Sequence, residues 1–239
     1  MNKFSHKGKE KKELVTRLFN DIAVSYDFFN HFFSFGVDYY WRSKLIKKAR
    51  INKTHLALDI ATGTGDVAFG MASKAKHVTG IDIASEMIKL ANNKNNKKKC
   101  ENVNFLVGDA ENLPFEDKSF DIITIAFGFR NISNQDKALQ EFNRILKNKG
   151  KLLILEFSQP KSKFFGILYK FYSYKIMPKV ASLITKKYAY EYLPESIDMF
   201  ASREEIKNKL EFNQFRNVEI KDMTFGISTI FSGFKNDKE

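Results

Sequence analysis

The chain has 239 residues, 43% of them hydrophobic and 28% charged, which is the composition of a globular protein of about one domain. Its single cysteine, Cys100, excludes a disulfide framework and a multi-cysteine zinc site. No apolar run reaches the roughly 18 residues of a membrane-spanning helix, and the charged start lacks the apolar segment of a signal peptide. A cytoplasmic protein is therefore expected.

Positive charge is concentrated in one segment of the chain. The net charge is +12, and residues 157–190 contain seven lysines, nine aromatic residues and no acidic residue. A charge of this size suits nucleic acid, an anionic membrane surface or an anionic ligand. Codon bias of an A+T-rich genome would also raise the lysine content, so the distribution of the charge is more informative than its size.

The first 50 residues differ from the rest. Residues 1–12 are polar and charged, and they are predicted to be a flexible basic tail. Residues 13–50 carry apolar side chains at helical spacing and are predicted to form a helical extension. Residues 51–235 are predicted to be a single α/β domain, interrupted at residues 161–200 by a helical, aromatic and basic insertion that acts as a lid.

Short apolar strands alternate with helices from residue 51 onward. The predicted strands cover residues 56–61, 77–82, 103–109, 121–127, 151–157, 218–225 and 227–234. Ser85 and Ser133 are predicted N-caps of the intervening helices, and Gly150 is the predicted end of the helix that follows Ser133. The alternation predicts a seven-stranded, mostly parallel sheet, and the turn at Gly226 makes the last two strands an antiparallel hairpin.

A glycine-rich turn follows the first strand and contains Asp59, Gly63, Thr64 and Gly65. Ligands bind at the carboxyl ends of the strands in open parallel sheets, where glycine amides at a helix N-terminus suit a phosphate or a carboxylate. The stretch from Gly63 also matches the dinucleotide fingerprint G-x-G-x-x-A, and a tight turn would need glycine without any ligand. This turn alone therefore leaves the ligand open.

Acidic residues end the next two strands. Asp82 stands where a carboxylate accepts hydrogen bonds from ribose hydroxyls, an arrangement shared by nicotinamide enzymes and methyltransferases, although it could also be a capping residue. Asp109 and Ala110 end the third strand, where a carboxylate and the following backbone N–H can read the edge of an adenine. Together these residues predict a site for an adenosine.

These elements, in this order and spacing, resemble the class I S-adenosylmethionine-dependent methyltransferases over residues 50–157, which implies a Rossmann-like domain. Three further segments tighten the resemblance: YDFFNHFFSFGVDYYWR at 26–42, AFGFRN at 126–131, and RILKNKG with EFSQP at 144–160. They resemble the UbiE/MenG quinone C-methyltransferases over residues 14–235.

Five residues depart from the patterns of these families. Phe29, Asp38 and the pair Asn148-Lys149 depart from the UbiE/MenG pattern, with Asp38 standing where histidine is common. Ala61 stands where the wider superfamily commonly has the first glycine of its loop.

The resemblance implies S-adenosylmethionine (SAM) as cofactor and a prenylated quinol as substrate. The cofactor residues that it implies are Asp59, Gly63, Thr64, Gly65, Asp82, Asp109, Ala110 and Ala126. Ala126 stands where some members use serine, so a hydroxyl contact there would be lost or made by backbone. Demethylmenaquinol is favoured as the acceptor over the ubiquinone precursor 2-methoxy-6-polyprenyl-1,4-benzoquinol. No metal is expected, and a homodimer is left open.

Three residues are candidates for catalysis. Arg130 and Asn131 come just after the fourth predicted strand, where a group that acts on the substrate belongs. Arg130 is interpreted as stabilising the phenolate of the quinol and Asn131 as orienting it. A group of this kind typically raises the rate by about 10²–10⁴. Tyr26 is interpreted as closing over the cofactor. The alternatives are an ion pair of Arg130 with an acidic residue of the N-terminal segment, and simple core packing of Tyr26.

The aromatic and basic insertion suits an isoprenoid tail and the surface of an anionic membrane, which predicts peripheral membrane contact.

Three other functions are alternatives to quinol methylation. An RNA methyltransferase fits the charge, but AFGFRN replaces the Asn/Asp-Pro-Pro-aromatic motif after strand four, so no nucleic acid is expected. A nicotinamide oxidoreductase leaves Asp109 and Ala110 unexplained. A non-catalytic SAM-binding scaffold of a quinone-synthesis complex remains the third.

Overall fold

The computed structural model describes residues 6, 8–181 and 187–236. The helices are α1 (Gly8–Phe33), α2 (Val37–Ala49), α3 (Asp66–Ala72), α4 (Ser85–Lys98), α5 (Gln135–Ile145), α6 (Lys163–Phe171), α7 (Met177–Ala181), α8 (Lys187–Asp198) and α9 (Arg203–Phe212). The strands are β1 (Leu56–Ile60), β2 (His77–Asp82), β3 (Val103–Val107), β4 (Phe120–Ala126), β5 (Leu146–Phe157), β6 (Phe215–Met223) and β7 (Ser228–Lys235). A π-helical turn at Tyr172–Ile176 joins α6 to α7.

The seven strands form one sheet in the order β3-β2-β1-β4-β5-β7-β6. Strands β1 to β5 are parallel to their neighbours among themselves, whereas β7 is antiparallel to both β5 and β6. The predicted seven-stranded, mostly parallel sheet and its terminal hairpin are confirmed. The chain order reverses between β1 and β4, and the crevice at such a reversal is where open α/β sheets bind ligands.

Helices cover both faces of the sheet because alternate strand residues point to opposite faces. Ala57 belongs to the core cluster that also contains α2, α3 and α4 residues. Leu58 and Ile60 belong to the cluster with α5 and α9. A third cluster joins α1 and α4 to Met177 and Tyr192, so α1 lies across the carboxyl edge of the sheet instead of on a face.

The predicted flexible tail is wrong for its last residues. Helix α1 begins at Gly8, and Lys11 donates hydrogen bonds to the backbone oxygens of Arg130 at 2.8 Å and of Ile132 at 3.1 Å. These long-range bonds hold the start of the helix against the domain. Residues 1–5 and 7 of the predicted tail, and Lys186 of the basic segment, lie outside the described residues.

The predicted helix caps also need correction. Ala84, not Ser85, is the N-cap residue of α4, and its backbone N–H donates to Asp82. Asn134 caps α5 by accepting from the N–H of Lys137 at 3.0 Å, so Ser133 is not the cap.

Helix α5 ends earlier than predicted. It ends at Ile145 instead of at Gly150, because Leu146 is fully buried and pairs with Phe120 as the start of β5. Among the described residues, no helix is both long and apolar enough to cross a membrane.

Candidate active site

A cleft with about 730 Å³ of empty space lies at the carboxyl ends of β1, β2 and β4, under α1. Its floor includes Ala61, Gly63, Asp82, Asp109, Ala110, Ala126 and Asn131, and its roof includes Lys12, Val15, Phe19 and Tyr26. Seven of the predicted functional residues, among them Tyr26 and Asn131, thus line a single space. We call this space the cofactor cleft.

The loop after β1 is fixed to the end of β2. Gly63 has a φ of +56°, which glycine adopts easily, and its backbone N–H donates to Oδ2 of Asp82 at 2.9 Å. The other oxygen of Asp82 accepts from the N–H of Ala84 at 2.9 Å. Burial raises the pKa of Asp82, and these backbone donors oppose the rise. Each carboxylate oxygen keeps acceptor capacity for a ligand hydroxyl.

Three of the predicted cofactor residues support the loop without lining the cleft. Asp59 is buried and accepts from the hydroxyls of Thr62 and Thr124, each at 2.7 Å. Burial outweighs these hydrogen bonds and raises the pKa of Asp59 to about 6. Asp59 thus fixes the loop after β1 to β4, and its predicted contact with the cofactor stays a prediction.

Thr64 and Gly65 are likewise not among the residues that line the cofactor cleft. Thr64 donates to Asp27 of α1 at 2.6 Å and accepts from Lys94 of α4 at 2.8 Å, which ties the loop to two helices. Gly65 has a φ of +91°, and a Cβ there would lie 2.7 Å from the Phe105 ring. These contacts hold the loop in place, and the predicted cofactor contacts of Thr64 and Gly65 stay predictions.

A lysine that the sequence analysis missed reaches the third strand end. Nζ of Lys12 lies 2.6 Å from Oδ2 of Asp109 and 3.1 Å from Oε2 of Glu111. Burial lowers the pKa of Lys12, but the hydrogen bonds to these two carboxylates outweigh it and the pKa is raised. The apolar spacing that predicts a helix from residue 13 gives no signal for this contact, because Lys12 stands among many charged residues.

Arg130 is buried in an ion pair with Glu156 at the end of β5. Nη1 of Arg130 lies 2.8 Å from Oε2 of Glu156 and 2.6 Å from the backbone oxygen of Phe127, and Nε lies 3.2 Å from the Ser196 hydroxyl. The alternative prediction of an ion pair with an N-terminal acidic residue is wrong, since the partner is Glu156, whose side chain is fully buried. Asn131 accepts from the Tyr192 hydroxyl at 2.9 Å.

Next to the cofactor cleft is a second space, which we call the polar chamber. The polar side chains on its wall are those of Tyr26, Asn30, Ser34, Asp38, Arg42, Arg130 and Tyr192. Phe19, Tyr26 and Phe127 line both the polar chamber and the cofactor cleft, so the two spaces adjoin. Burial raises the pKa of the Tyr26 phenol, which is opposed by Arg42, by a hydrogen bond to Asn30 and by Arg130.

Asp38 organises one wall of the polar chamber. Its carboxylate accepts from the Ser34 hydroxyl at 2.7 Å, lies 2.7 Å from Nδ1 of His31, and accepts from Arg42. Burial raises the pKa of Asp38, but Ser34, Arg42 and His31 outweigh it and the pKa is lowered. His31 is therefore one of the three side chains that hold the Asp38 carboxylate, and its ring stacks on that of Tyr39 with the ring centroids 4.1 Å apart.

A third space, the apolar cavity, has about 1110 Å³ of empty space. Its wall includes Phe29, Phe33, Trp41, Phe157, Phe165, Leu168, Tyr169, Met177, Leu193 and Ile227. Asn30, Ser34, Phe157 and Leu193 line both this cavity and the polar chamber. The cofactor cleft, the polar chamber and the apolar cavity therefore follow one another, from polar strand ends to an aromatic wall.

The strand order, the glycine loop at the reversal point and the carboxylates at two neighbouring strand ends define a class of protein, the Rossmann-like SAM-dependent methyltransferases. A SAM-dependent methyltransferase from Thermotoga maritima superposes with a TM-score of 0.66 at 20% identity, covering 92% of this chain and 99% of that one. A second such structure, from Aquifex aeolicus, gives 0.59 at 20% identity and covers 81% and 88%.

The sequence comparisons are more specific. The model of the ubiE/COQ5 methyltransferase family matches residues 6–235. The ubiquinone/menaquinone biosynthesis C-methyltransferase UbiE of Citrifermentans bemidjiense is 41% identical over 230 residues, which is 95% of this chain and 98% of the relative. The protein of that name from Rickettsia bellii is 40% identical and covers 96% and 95%. This chain belongs to the ubiE/COQ5 methyltransferase family, and its cofactor is SAM.

Proposed function

We propose that the protein transfers the methyl group of SAM to a ring carbon of a prenylated quinol. The observation that carries this proposal is the succession of cofactor cleft, polar chamber and apolar cavity, which matches the cofactor, the hydroxylated ring and the isoprenoid tail in order. Demethylmenaquinol is the main acceptor in this proposal and 2-methoxy-6-polyprenyl-1,4-benzoquinol a second one. The names of the relatives, which cover ubiquinone and menaquinone biosynthesis, support both acceptors.

The residues of the cofactor cleft fit the parts of SAM. Asp82 has acceptor capacity for the ribose hydroxyls, and Asp109 with the N–H of Ala110 suits the adenine edge. Ala126 also lines the cleft, and its methyl side chain contributes no hydroxyl group to the cofactor. The cofactor supplies an activated methyl group on a sulfonium, and the protein supplies position and electrostatics.

The polar chamber is the proposed place of the quinol ring. Tyr26 lines both the chamber and the cleft, which supports the proposal that the two reactants meet beside it. In this proposal the guanidinium of Arg130, held in place by Glu156, stabilises a quinol oxygen, and Asn131 orients the ring from the side of the cleft. A fixed cation near a developing oxyanion acts without reorganisation at the moment of reaction.

Peripheral contact with an anionic membrane is the second part of the proposal. Helix α6 exposes Phe164, Ile167, Leu168 and Phe171 at 67%, 69%, 50% and 59%, and exposed lysines at 161, 163, 170 and 175 lie beside them. Leu168 also lines the apolar cavity, so this face borders the proposed tail site. Apolar side chains with lysines suit an anionic bilayer, to which each lysine adds on the order of 1 kcal/mol.

Methyl transfer is tested with purified protein, methyl-labelled SAM and three acceptors: short-chain demethylmenaquinol, the corresponding benzoquinol precursor and total RNA. We expect label in the naphthoquinol, less label in the benzoquinol and none in RNA. The oxidised quinone is the matched control, because without the hydroxyls its ring carbon is not nucleophilic. Binding of SAM without label in either quinol would refute the proposed function and favour the scaffold alternative.

Membrane contact is tested by flotation with anionic and neutral liposomes. Recovery should be higher with anionic liposomes and should fall in the variant Ile167→Glu, while Val24→Glu serves as control. Val24 is 92% exposed on α1, so Val24→Glu introduces the same charge at an exposed apolar position outside α6. Equal recovery with the two lipids would remove the electrostatic part of the proposal.

A further inference from the structure

The polar chamber contains two arginines, and they differ in how many of their side-chain N–H groups donate hydrogen bonds within the protein. Arg130 gives its side-chain N–H groups to Phe127, Glu156 and Ser196. Arg42 has one hydrogen-bond partner, Asp38, among the residues that the structure describes. The guanidinium has five N–H groups, so most of those of Arg42 remain able to bind a ligand.

The position of Arg42 is fixed by its surroundings. Asp38, to which it is bonded, is itself held by Ser34 at 2.7 Å and by His31 at 2.7 Å. The guanidinium carbon of Arg42 lies 5.6 Å from the centre of the Phe127 ring, and that ring lines both the cofactor cleft and the polar chamber. Arg42 therefore lines the polar chamber next to a ring that also borders the cofactor cleft.

We propose that Arg42 is a further catalytic residue, which donates hydrogen bonds to the oxygen next to the accepting carbon of the quinol and stabilises it as an oxyanion. This inference rests on the proposed function. Asp38 is the corresponding positioning residue, because it holds the guanidinium of Arg42 without itself binding the oxygen.

The chain contains a phenol of its own in the same chamber. Burial raises the pKa of the Tyr26 phenol, and among the groups that oppose this rise Arg42 has the largest effect, ahead of Asn30 and Arg130. A phenolic oxygen of the substrate in this chamber would lie in the field of the same cation. Arg42 lines the chamber as well as an outer surface groove, so its position and its effect on the Tyr26 pKa agree.

The reaction needs such an oxyanion for its electron balance. The quinol hydroxyl gives up its proton to solvent, and the electron pair released into the ring lets the neighbouring carbon bond to the methyl carbon. The carbon–sulfur bond breaks in the same step, and its electron pair stays on sulfur. The hydrogen on the methylated carbon then leaves as a proton and the oxygen is protonated again, so one proton is released overall.

Other charged and titratable groups also face Arg42. They are Tyr26 and His31 from α1, Asp38 and Tyr39 from α2, Asp59 from β1, Asp66 from α3, Arg130 after β4 and Tyr192 from α8. Because substitution of any of these would change the field in the chamber, the test substitutes Arg42 itself. Lys47→Gln removes one positive charge from the same helix at an exposed position and serves as the matched control.

Binding of an anion to Arg42 is measured without catalysis. Trp41 is the single tryptophan and lines the apolar cavity, so a bound quinone should quench its fluorescence. The probes are 2-hydroxy-1,4-naphthoquinone, an anion at neutral pH, and neutral 1,4-naphthoquinone. Arg42→Gln should weaken binding of the anion about tenfold and that of the neutral quinone less than threefold, while Arg42→Lys should keep part of the preference. Equal losses for both probes, or none, would overturn the inference.

Catalysis gives a second readout. In Arg42→Gln, kcat should fall about tenfold to a hundredfold, with the KM for quinol nearly unchanged, and the acidic limb of the pH–rate profile should move up by about one pH unit. A fall in kcat/KM while the acidic limb of the pH–rate profile stays in place would mean that Arg42 has a structural role, and it would contradict the inference. If the wild-type protein methylates no quinol but still prefers the anionic probe through Arg42, the proposed function fails and the anion site stands.

Discussion

Lys12 and Asp109 form an ion pair at 2.6 Å across 97 positions of the sequence. Lys12 lies in the second turn of α1, and Asp109 lies two residues after β3 and lines the cofactor cleft. Lys11 adds hydrogen bonds to the segment after β4. The start of α1 is thus fastened to both sides of the cleft, and we expect this end of the helix to move when a cofactor enters or leaves.

Replacing Lys12 by glutamine should therefore speed cofactor exchange. Both carboxylate contacts are lost, and because the lysine is about one-third exposed, we expect an effect of about 1 kcal/mol, which is roughly threefold to tenfold in rate. The measurement is stopped-flow displacement of labelled SAM. Lys9→Gln, on the same helix and 89% exposed, is the control and should leave the rate unchanged. If Lys12→Gln releases the cofactor at the wild-type rate, the start of α1 does not cover it.

A second test concerns two small residues beneath the cleft. Ala61 has a φ of +50°, a conformation that costs alanine about 1 kcal/mol more than glycine. A Cβ added to Gly128 would lie 2.4 Å from the Cβ of Ala61, whereas its next neighbour, in Ile125, is at 3.4 Å. Gly128 has a φ of −114°, which alanine accepts, so the clash with Ala61 is the only steric obstacle seen at that position.

These contacts predict a coupled pair of substitutions. Ala61→Gly should raise the free energy of unfolding by about 0.5–1 kcal/mol, and Gly128→Ala should lower it by about 1–3 kcal/mol. In the double variant the obstacle is gone, so it should be more stable than the sum of the single changes predicts, by at least about 1 kcal/mol. Urea unfolding of the four proteins measures this coupling. Strict additivity would show that the two residues do not touch.

The sheet could be predicted from sequence because each strand is a short, nearly continuous apolar run between glycine or polar turns. The same pattern located Asp82, Asp109 and Ala110 at strand ends, and all three line the cofactor cleft. Local sequence patterns predict individual strands and helices. Because parallel strands place their carboxyl ends at the same edge of the sheet, residues at those ends come together, and this part of the site follows from the fold. The helix ends were less predictable, because Ser133 and Asn134 are both good N-caps.

Contacts between distant segments could not be read in this way. Glu156 was visible within a family segment, but nothing local shows that it faces Arg130 across 26 residues. Asp38 and His31 both belong to the segment at 26–42, yet their pairing depends on the turn between α1 and α2. Asp59 is predicted to be a ligand because it stands near the carboxyl end of β1, whereas its bond to Thr124 depends on the pairing of β4 with β1.

Arg130 and Glu156 allow stability and catalysis to be separated. Both side chains are buried, so Arg130→Met alone leaves an unpaired carboxylate and should cost about 3–5 kcal/mol of unfolding free energy. The double variant with Glu156→Gln removes both charges, and the amide oxygen can still accept the backbone N–H at position 130, which Glu156 now binds at 3.0 Å. It should recover at least about 1 kcal/mol in urea unfolding.

The kcat of this double variant distinguishes the two roles of Arg130. If its guanidinium stabilises a quinol oxygen, kcat should stay about a hundredfold below that of the wild type even though the fold is restored. Binding of SAM, measured by calorimetry, should be unaffected and confirms that the cleft is intact. A double variant with restored stability and wild-type kcat would leave Arg130 a purely structural residue.

Asp222 on β6 gives a prediction about pH. Burial raises its pKa, but hydrogen bonds from Lys161, Thr229 and Arg203 outweigh burial and bring the pKa to about 2, from 3.8. Because the folded pKa is below the unfolded one, the carboxylate stabilises the fold above pH 4, and this contribution is lost as the pH falls toward 2. The carboxylate contributes about 2 kcal/mol to the free energy of unfolding at pH 7, and roughly half of this contribution remains at pH 3.

Asp222→Asn should therefore lower the free energy of unfolding by about 2 kcal/mol at pH 7 and by about half as much at pH 3, measured by urea unfolding at several pH values. Glu116→Gln, at an exposed position, is the control and should show a small, pH-independent difference. The carboxylate links β6 to Arg203 at the start of α9 and to Lys161 just before α6, at 2.6 Å each. A loss that is the same at pH 3 and pH 7 would mean that the shape of the side chain, and not its charge, holds these segments together.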